Sequence, residues 1–177
     1  MTDFVKKNGV NFGILVGIIS ILIYTILYSI DLSLLASVWV GIIIFLINLG
    51  IGIYAVAKSK KEQGGFISFK EAFTAFFIVM AIGSIINSVF MFVLFNLIDP
   101  EAKATISEIV IEKTVTMMQN AGLNSEDIRR TAEEMQNTDN FSALSLVKSY
   151  FSGLVLYIII ALIVAAAFKK NKPEFEN

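Results

Sequence analysis

The 177-residue sequence is 56% hydrophobic and only 16% charged, well below the roughly 25% charged residues of a soluble domain, so its composition is typical of a membrane protein. It contains neither cysteine nor histidine, which excludes disulfides, thiolate nucleophiles, serine–histidine triads and the usual zinc and haem ligand sets. The formal net charge of −1 gives no indication of a nucleic-acid partner.

The first predicted membrane helix follows a short head that carries two lysines. A secretory signal peptide also begins with positive charge, but its apolar core is only about 7–15 residues long and ends at small residues. Here the uncharged run continues unbroken over residues 8–30, so we predict a spanning helix at residues 10–30. Tyr24 lies near its end, where amphipathic aromatic side chains favour the level of the lipid headgroups.

A tight turn at Asp31 leads into a second predicted span, residues 35–57. The third span has signals at both of its ends. Ser68 and Glu71 have the spacing of a capping box, in which each side chain binds a free backbone N–H at the start of a helix. The uncharged run at residues 72–98 would extend about 40 Å as a helix, more than the roughly 30 Å hydrocarbon core requires.

The segment at residues 99–148 is predicted to be a helical insert between the third and fourth spans. It opens with Asp99-Pro100, which is typical of a helix cap followed by the first helical position. Gly122 and Asn124 are typical of the end of one helix and the start of the next. We expect two amphipathic helices, packed on each other or lying along the membrane surface, and then a polar connection at residues 137–145.

Lysines predict how the chain crosses the membrane. The fourth span, residues 149–168, is followed by three lysines, and the head and the loop after the second span hold two and four. The turn at Asp31 has none. Because positive charge in short flanking segments stays in the cytoplasm, we predict a multi-pass membrane protein. Both termini are then cytoplasmic and the insert is extracytoplasmic. The predicted fold is all-α, with four transmembrane helices.

Small and polar residues inside the spans indicate where helices pack, because lipid supplies no hydrophobic force between helices. The helix-packing candidates are six glycines and two asparagines: Gly9, Gly13, Gly17, Asn48, Gly52, Gly83, Asn87 and Gly153. The row formed by the first three glycines predicts packing inside the bundle, with a dimer face as the alternative. Asn48 and Asn87 are interpreted as structural partners that bond each other or nearby backbone, not as a substrate site.

The spans contain no Asp, Glu, Lys, Arg or His, the residues that ion-coupled carriers usually place within the membrane. Without histidine or buried acids no hydrolase site can be assembled. The acidic residues of the insert lack the ligand spacing and turn glycine of a calcium loop. We therefore predict no enzyme activity, no catalytic residues, no cofactor and no metal.

Two hypotheses about function remain from different classes. The first is a non-enzymatic structural or interaction protein of the cell envelope, whose partners are the lipid bilayer and either a second copy of the chain or another envelope protein. The alternative is a small transporter or channel subunit, with a membrane-embedded enzyme as a third possibility. A water-lined cavity around Asn48, Asn87 and Asn96 would favour the transporter, and a dry core would favour the interaction protein.

Three short motifs resemble a known family. They are GFISFKEAF at residues 65–73, LIDPE at residues 97–101 and FKKNKP at residues 168–173. Together they resemble the bacterial membrane family called domain of unknown function 4199, and the resemblance extends over essentially the whole chain. It implies four spans with a polar insert between the third and the fourth, and with the lysine pattern it implies a location in the bacterial inner membrane. It implies no activity, ligand or catalytic residue.

Overall fold

The computed structural model describes residues 3–172, and Pro173 at the end of the third motif lies outside them. Within this range the chain forms six α-helices. They are α1 (Asp3–Ile30), α2 (Val38–Glu62), α3 (Phe69–Val93), α4 (Pro100–Asn120), α5 (Ser125–Gln136) and α6 (Ala143–Phe168). A 3-10 turn (Leu32–Leu34) joins α1 to α2, and a π-helical turn (Leu94–Ile98) extends α3. The all-α prediction is confirmed.

Four of these helices are long and apolar enough to cross a membrane: α1, α2, α6 and α3 together with its π-helical turn. The chain is therefore a multi-pass membrane protein. The second helix begins at Val38, not at residue 35, because Asp31 accepts a hydrogen bond from the backbone N–H of Ser33 and caps the 3-10 turn. Helix α6 begins at Ala143, six residues before the predicted start of the fourth span, because Ser142 caps it there.

The residues predicted to begin and end helices make the expected capping contacts. Ser68 Oγ accepts a hydrogen bond from the Glu71 backbone N–H (3.3 Å), and Glu71 Oε2 accepts one from the Ser68 backbone N–H (3.1 Å), which completes the capping box. Asp99 caps α4 through the backbone N–H of Ala102 (3.0 Å). Gly122, with φ +74°, follows α4 in the left-handed conformation that favours glycine.

Helix α3 is the centre of the bundle and contacts α1, α2 and α6. The main apolar core surrounds its first half, where Ala72, Ala75 and Phe76 are fully buried. A second cluster lies around Phe95 and Ile106, where the π-helical turn meets α4. Helices α4 and α5 pack on each other, the first of the two arrangements that the sequence allowed.

Different segments of the chain meet at the two ends of the bundle. At one end, here called the basic end, Asn8 near the start of α1 donates to Glu62 Oε2 (2.8 Å). An antiparallel backbone bridge joins Ile67 before α3 to Lys170 after α6. At the other, the insert end, Lys113 of α4 donates to the backbone oxygen of Ser33 (2.7 Å). The start of α1, the α2–α3 loop and the end of α6 therefore lie together, opposite the insert.

Candidate functional site

A small polar cavity of about 130 Å³ lies between the four spanning helices. Its polar lining is Ser20 and Tyr24 from α1, Asn48 from α2, Ser84 and Asn87 from α3, and Tyr157 from α6. At 1.5 Å per residue, Asn48 lies about 15 Å from the start of α2 and about 21 Å from its end. The cavity is therefore close to the middle of the bundle, where a bilayer is most apolar.

The hydrogen bonds of this cavity differ from the expected pairing of its two asparagines. Asn48 Nδ2 donates to Ser20 Oγ at 3.3 Å, and the serine hydroxyl lies 3.4 Å from Asn48 Oδ1, so this pair joins α2 to α1. Within residues 3–172, the fully buried Oδ1 of Asn87 has no hydrogen-bond partner. Of the two expected arrangements, a bond between Asn48 and Asn87 is not formed, because the Asn48 amide pairs with Ser20 of α1.

Glycines set how closely α1 and α3 approach beside this cavity. A Cβ built on Gly13 would lie 2.7 Å from Ile82 Cβ, and one on Gly17 would lie 2.6 Å from Ile86 Cγ2. From the other side, a Cβ on Gly83 would lie 2.4 Å from Val16 Cγ1. The glycine row of α1 thus faces α3 inside the bundle, as close backbone approach in lipid requires.

The remaining packing candidates have different surroundings. A Cβ on Gly9 would meet Ile78 at 3.0 Å, and one on Gly52 would meet the Phe76 ring at 2.8 Å, so both glycines lie at helix crossings. Gly153 does not: apart from its chain neighbours and the nearby backbone of α6, the described residues bring only Tyr157 Cε2 of the same helix within 4 Å of its Cβ position, at 3.9 Å. A separate apolar groove of about 370 Å³ lies between α3 and the first part of α6, and Gly153 is not part of its lining.

Two residues lie elsewhere than the sequence suggested. Tyr24 was expected at headgroup level, but it lines the cavity one turn beyond Ser20. Asn96 was named with Asn48 and Asn87 for the cavity that would favour a transporter, but it lies at the insert end, where its Nδ2 donates to the backbone oxygen of Phe141 (2.8 Å). Helical spacing predicts that residues 20 and 24 share one face of α1. Spacing does not give the depth of a residue in the membrane, because that depth depends on where its helix begins and ends.

A second, larger feature lies in the insert. It is an open groove of about 860 Å³ between α4 and residues 135–139, here called the insert groove. Its lining includes both signs of charge, from Lys103, Glu108, Glu112 and Asp139, beside the apolar side chains of Ile111 and Met135.

An ion pair fixes one edge of this groove. Lys103 pairs with Asp139 and also donates to Asn96 Oδ1 (3.0 Å). Partial burial raises the pKa of Asp139, but hydrogen bonds from Lys103 and from the Phe141 backbone N–H outweigh that effect, and the net shift is downward. The carboxylate is therefore ionised at neutral pH and holds the segment after α5 against α4.

The insert is also anchored to the first span. The hydroxyl of Tyr28, near the end of α1, donates a hydrogen bond to Asp99 Oδ2. This bond lowers the pKa of the Asp99 carboxyl, and the backbone N–H of Ala102 lowers it further. The same aspartate thus caps α4 and ties it to α1.

Chemically, the cavity is neutral and the insert groove is charged. Residues 3–172 contain no group of three or more His, Cys, Asp or Glu side chains placed to hold a metal ion. The cavity offers hydroxyl and amide groups, which suit an uncharged hydrogen-bonding guest. The groove offers apolar surface flanked by charges, which suits a polypeptide partner.

Comparison with known families gives one result. The family model described as "Protein of unknown function (DUF4199)" matches residues 11–170. No curated protein and no solved structure gives a significant match.

Proposed function

The chain belongs to the DUF4199 family of proteins of unknown function. From its charge pattern and its insert we propose that it is a non-enzymatic interaction protein of the bacterial cell envelope. Its proposed location is the inner membrane, with both termini and the α2–α3 loop in the cytoplasm. This orientation is supported by the nine lysines at the basic end, because lysine-rich short segments stay in the cytoplasm. The insert then lies on the extracytoplasmic side.

The observation that carries the interaction role is the insert groove. Its lining combines apolar surface with charges of both signs, a combination typical of the centre and rim of a protein interface. The contacts of Tyr28 with Asp99, and of Lys103 with Asp139, hold its walls in place in the free protein. A groove that is already ordered loses less conformational entropy when a partner binds.

The non-enzymatic part of the proposal is supported by the chemistry of the bundle interior. The lining of the polar cavity includes no charged side chain, and the sequence has no histidine or cysteine. Intramembrane hydrolysis requires an activated nucleophile or a metal-bound water. The two serines that line the cavity are Ser20 and Ser84; the first pairs with an amide and the second with a backbone oxygen, and neither with a base.

Site-specific photo-crosslinking in living cells tests the interaction role. A photoreactive amino acid at Ala104, which is exposed and lines the groove, is expected to give a discrete higher-mass product. The matched control is Thr105, the next residue, which is exposed and outside the groove lining. A product that forms equally from both positions, or from neither, would contradict the proposal. Co-expression of two differently tagged copies identifies whether the product is a second copy of this chain.

A small transporter or channel subunit is the second candidate, and the polar cavity favours it. Two asparagines and two tyrosines near mid-membrane would suit the passage of an uncharged solute better than that of an ion. Purified protein in liposomes tests this function. Solute flux that disappears when Asn48 and Asn87 are both replaced by leucine would support the transporter and count against the interaction role as the primary function.

A further inference from the structure

The basic end of the bundle carries a dense positive charge. Nine lysines lie in the three segments that meet there: the start of α1, the stretch from the end of α2 to the start of α3, and the tail after α6. Counting the residues beyond 172, the same segments hold five acidic residues. The insert, residues 99–148, has the opposite balance, with five basic and nine acidic residues. The two ends therefore carry net charge of opposite sign.

The tail after α6 is held against the α2–α3 loop. Ile67 and Lys170 exchange two backbone hydrogen bonds, of 2.9 and 2.8 Å. Lys60 Nζ donates to the backbone oxygen of Phe168, the last residue of α6, at 2.8 Å. Lys170 Nζ also lies 5.4 Å from the centre of the Phe66 ring. These contacts fix the backbone of the tail beside the loop before any ligand binds, which lowers the entropy cost of binding.

Three lysines of these two segments have no internal partner. Lys61 in the last turn of α2, and Lys169 and Lys172 in the tail, are exposed. Among residues 3–172, no hydrogen bond or ion pair involves their side chains. Lys58 differs, since it lies 3.9 Å from Glu62. Lys61, Lys169 and Lys172, here called the lysine surface, therefore have positive charge available for an external anion.

The lysine surface lies where the apolar parts of two spans end. The uncharged run of α2 stops at Ala57 and that of α6 stops at Phe168, so the lysines that follow are at the level of the lipid headgroups. Lysine side chains reach the phosphates there while their stems stay on apolar surface. Anionic phospholipids attract such basic clusters, whereas zwitterionic phospholipids have no net charge to offer. An anionic headgroup fits both the charge and the depth of this surface.

We propose that the lysine surface binds the phosphate groups of anionic phospholipids. Lys61 and Lys169 contact the headgroup from two different segments, and Lys172 adds positive charge from the tail. The contacts between tail and loop keep the two segments together at the membrane surface. This inference goes beyond the interaction role. It depends neither on the insert groove nor on which side of the membrane the basic end faces.

Competition between two lipids, followed by native mass spectrometry, tests the proposal. The purified full-length protein in a neutral detergent receives equal amounts of phosphatidylglycerol and phosphatidylcholine with identical acyl chains. The wild-type protein is expected to retain phosphatidylglycerol over phosphatidylcholine by about tenfold or more. Because the attraction is electrostatic, this preference should shrink as the ionic strength rises. Equal retention of the two lipids would overturn the proposal, and that result requires no variant.

Two matched variants locate the preference on the molecule. Lys61→Gln with Lys169→Gln should lower it several-fold, because each lysine near an anionic surface contributes a factor of about five. Arg129→Gln with Arg130→Gln removes the same charge from exposed positions of α5 and should keep the wild-type preference. All four positions are exposed, so both proteins should fold, which circular dichroism checks. A wild-type preference in the lysine variant, or equal losses in the two variants, would contradict the proposal.

Discussion

Replacing Gly13 with alanine tests the packing of α1 on α3. The new Cβ would lie 2.7 Å from Ile82 Cβ and 3.2 Å from the Val79 backbone oxygen, both closer than the 3.4–4 Å of ordinary contact. Neither neighbour is the free end of a flexible side chain, so the two helices must move apart. Overpacking of this kind typically costs about 1–3 kcal/mol.

Alanine also favours the helical state over glycine by about 1 kcal/mol, so the net destabilisation of Gly13→Ala should be about 0–2 kcal/mol. For a chain of this length that corresponds to a fall in Tm of up to roughly 8 °C, measured by circular dichroism in detergent. The control is Gly50→Ala, because a Cβ there meets nothing within 4 Å and the Tm should hold or rise. A Gly13→Ala protein as stable as the Gly50→Ala protein would refute the packing of α1 on α3.

Two further substitutions probe the insert anchor and the polar cavity. Tyr28→Phe removes the donor to Asp99. Because that bond lowers the folded-state pKa of Asp99, its stabilisation is present above the unfolded pKa of about 3.9 and is lost as pH falls through the folded value. The Tm difference between wild type and variant should therefore be largest at neutral pH and should narrow below about pH 4; a constant difference would argue against the anchor. Asn48→Leu breaks the bond to Ser20 and should cost only about 0.6–2 kcal/mol, as membrane hydrogen bonds do. If the Asn48→Leu protein failed to fold, the bond to Ser20 would contribute more to stability than this estimate.

Local signals in the sequence predict the elements of this fold well. Uncharged runs locate the four spans, and the capping box at Ser68 and Glu71 marks where α3 begins. Hydropathy does not predict where α6 begins, because the uncharged run starts only after Lys148. The helix itself begins six residues earlier, where Ser142 caps it, and it includes the charged Lys148. Helix starts follow hydrogen-bonding groups, and span limits follow hydropathy, so the two need not coincide.

Contacts between helices are less predictable from one sequence. Each of Ser20, Asn48 and Asn87 can be assigned to a helix face, but which faces meet depends on the rotation of each helix about its axis. The pairing of Asn48 with Ser20, and the unpaired oxygen of Asn87, result from that rotation. The bridge between Ile67 and Lys170 joins segments far apart in sequence, and no local pattern marks it.

The central claim is that the insert faces the outside of the cell, where it is able to meet envelope partners. The sequence has no cysteine, so single cysteines at Ser125 in the insert and at Lys61 at the basic end give clean reporters. Both positions are exposed in the structure. A membrane-impermeant thiol reagent, applied to cells whose outer membrane has been made permeable where one is present, should label position 125 and leave position 61 unlabelled until the cells are lysed. Labelling of position 61 but not of position 125 in intact cells would contradict the account.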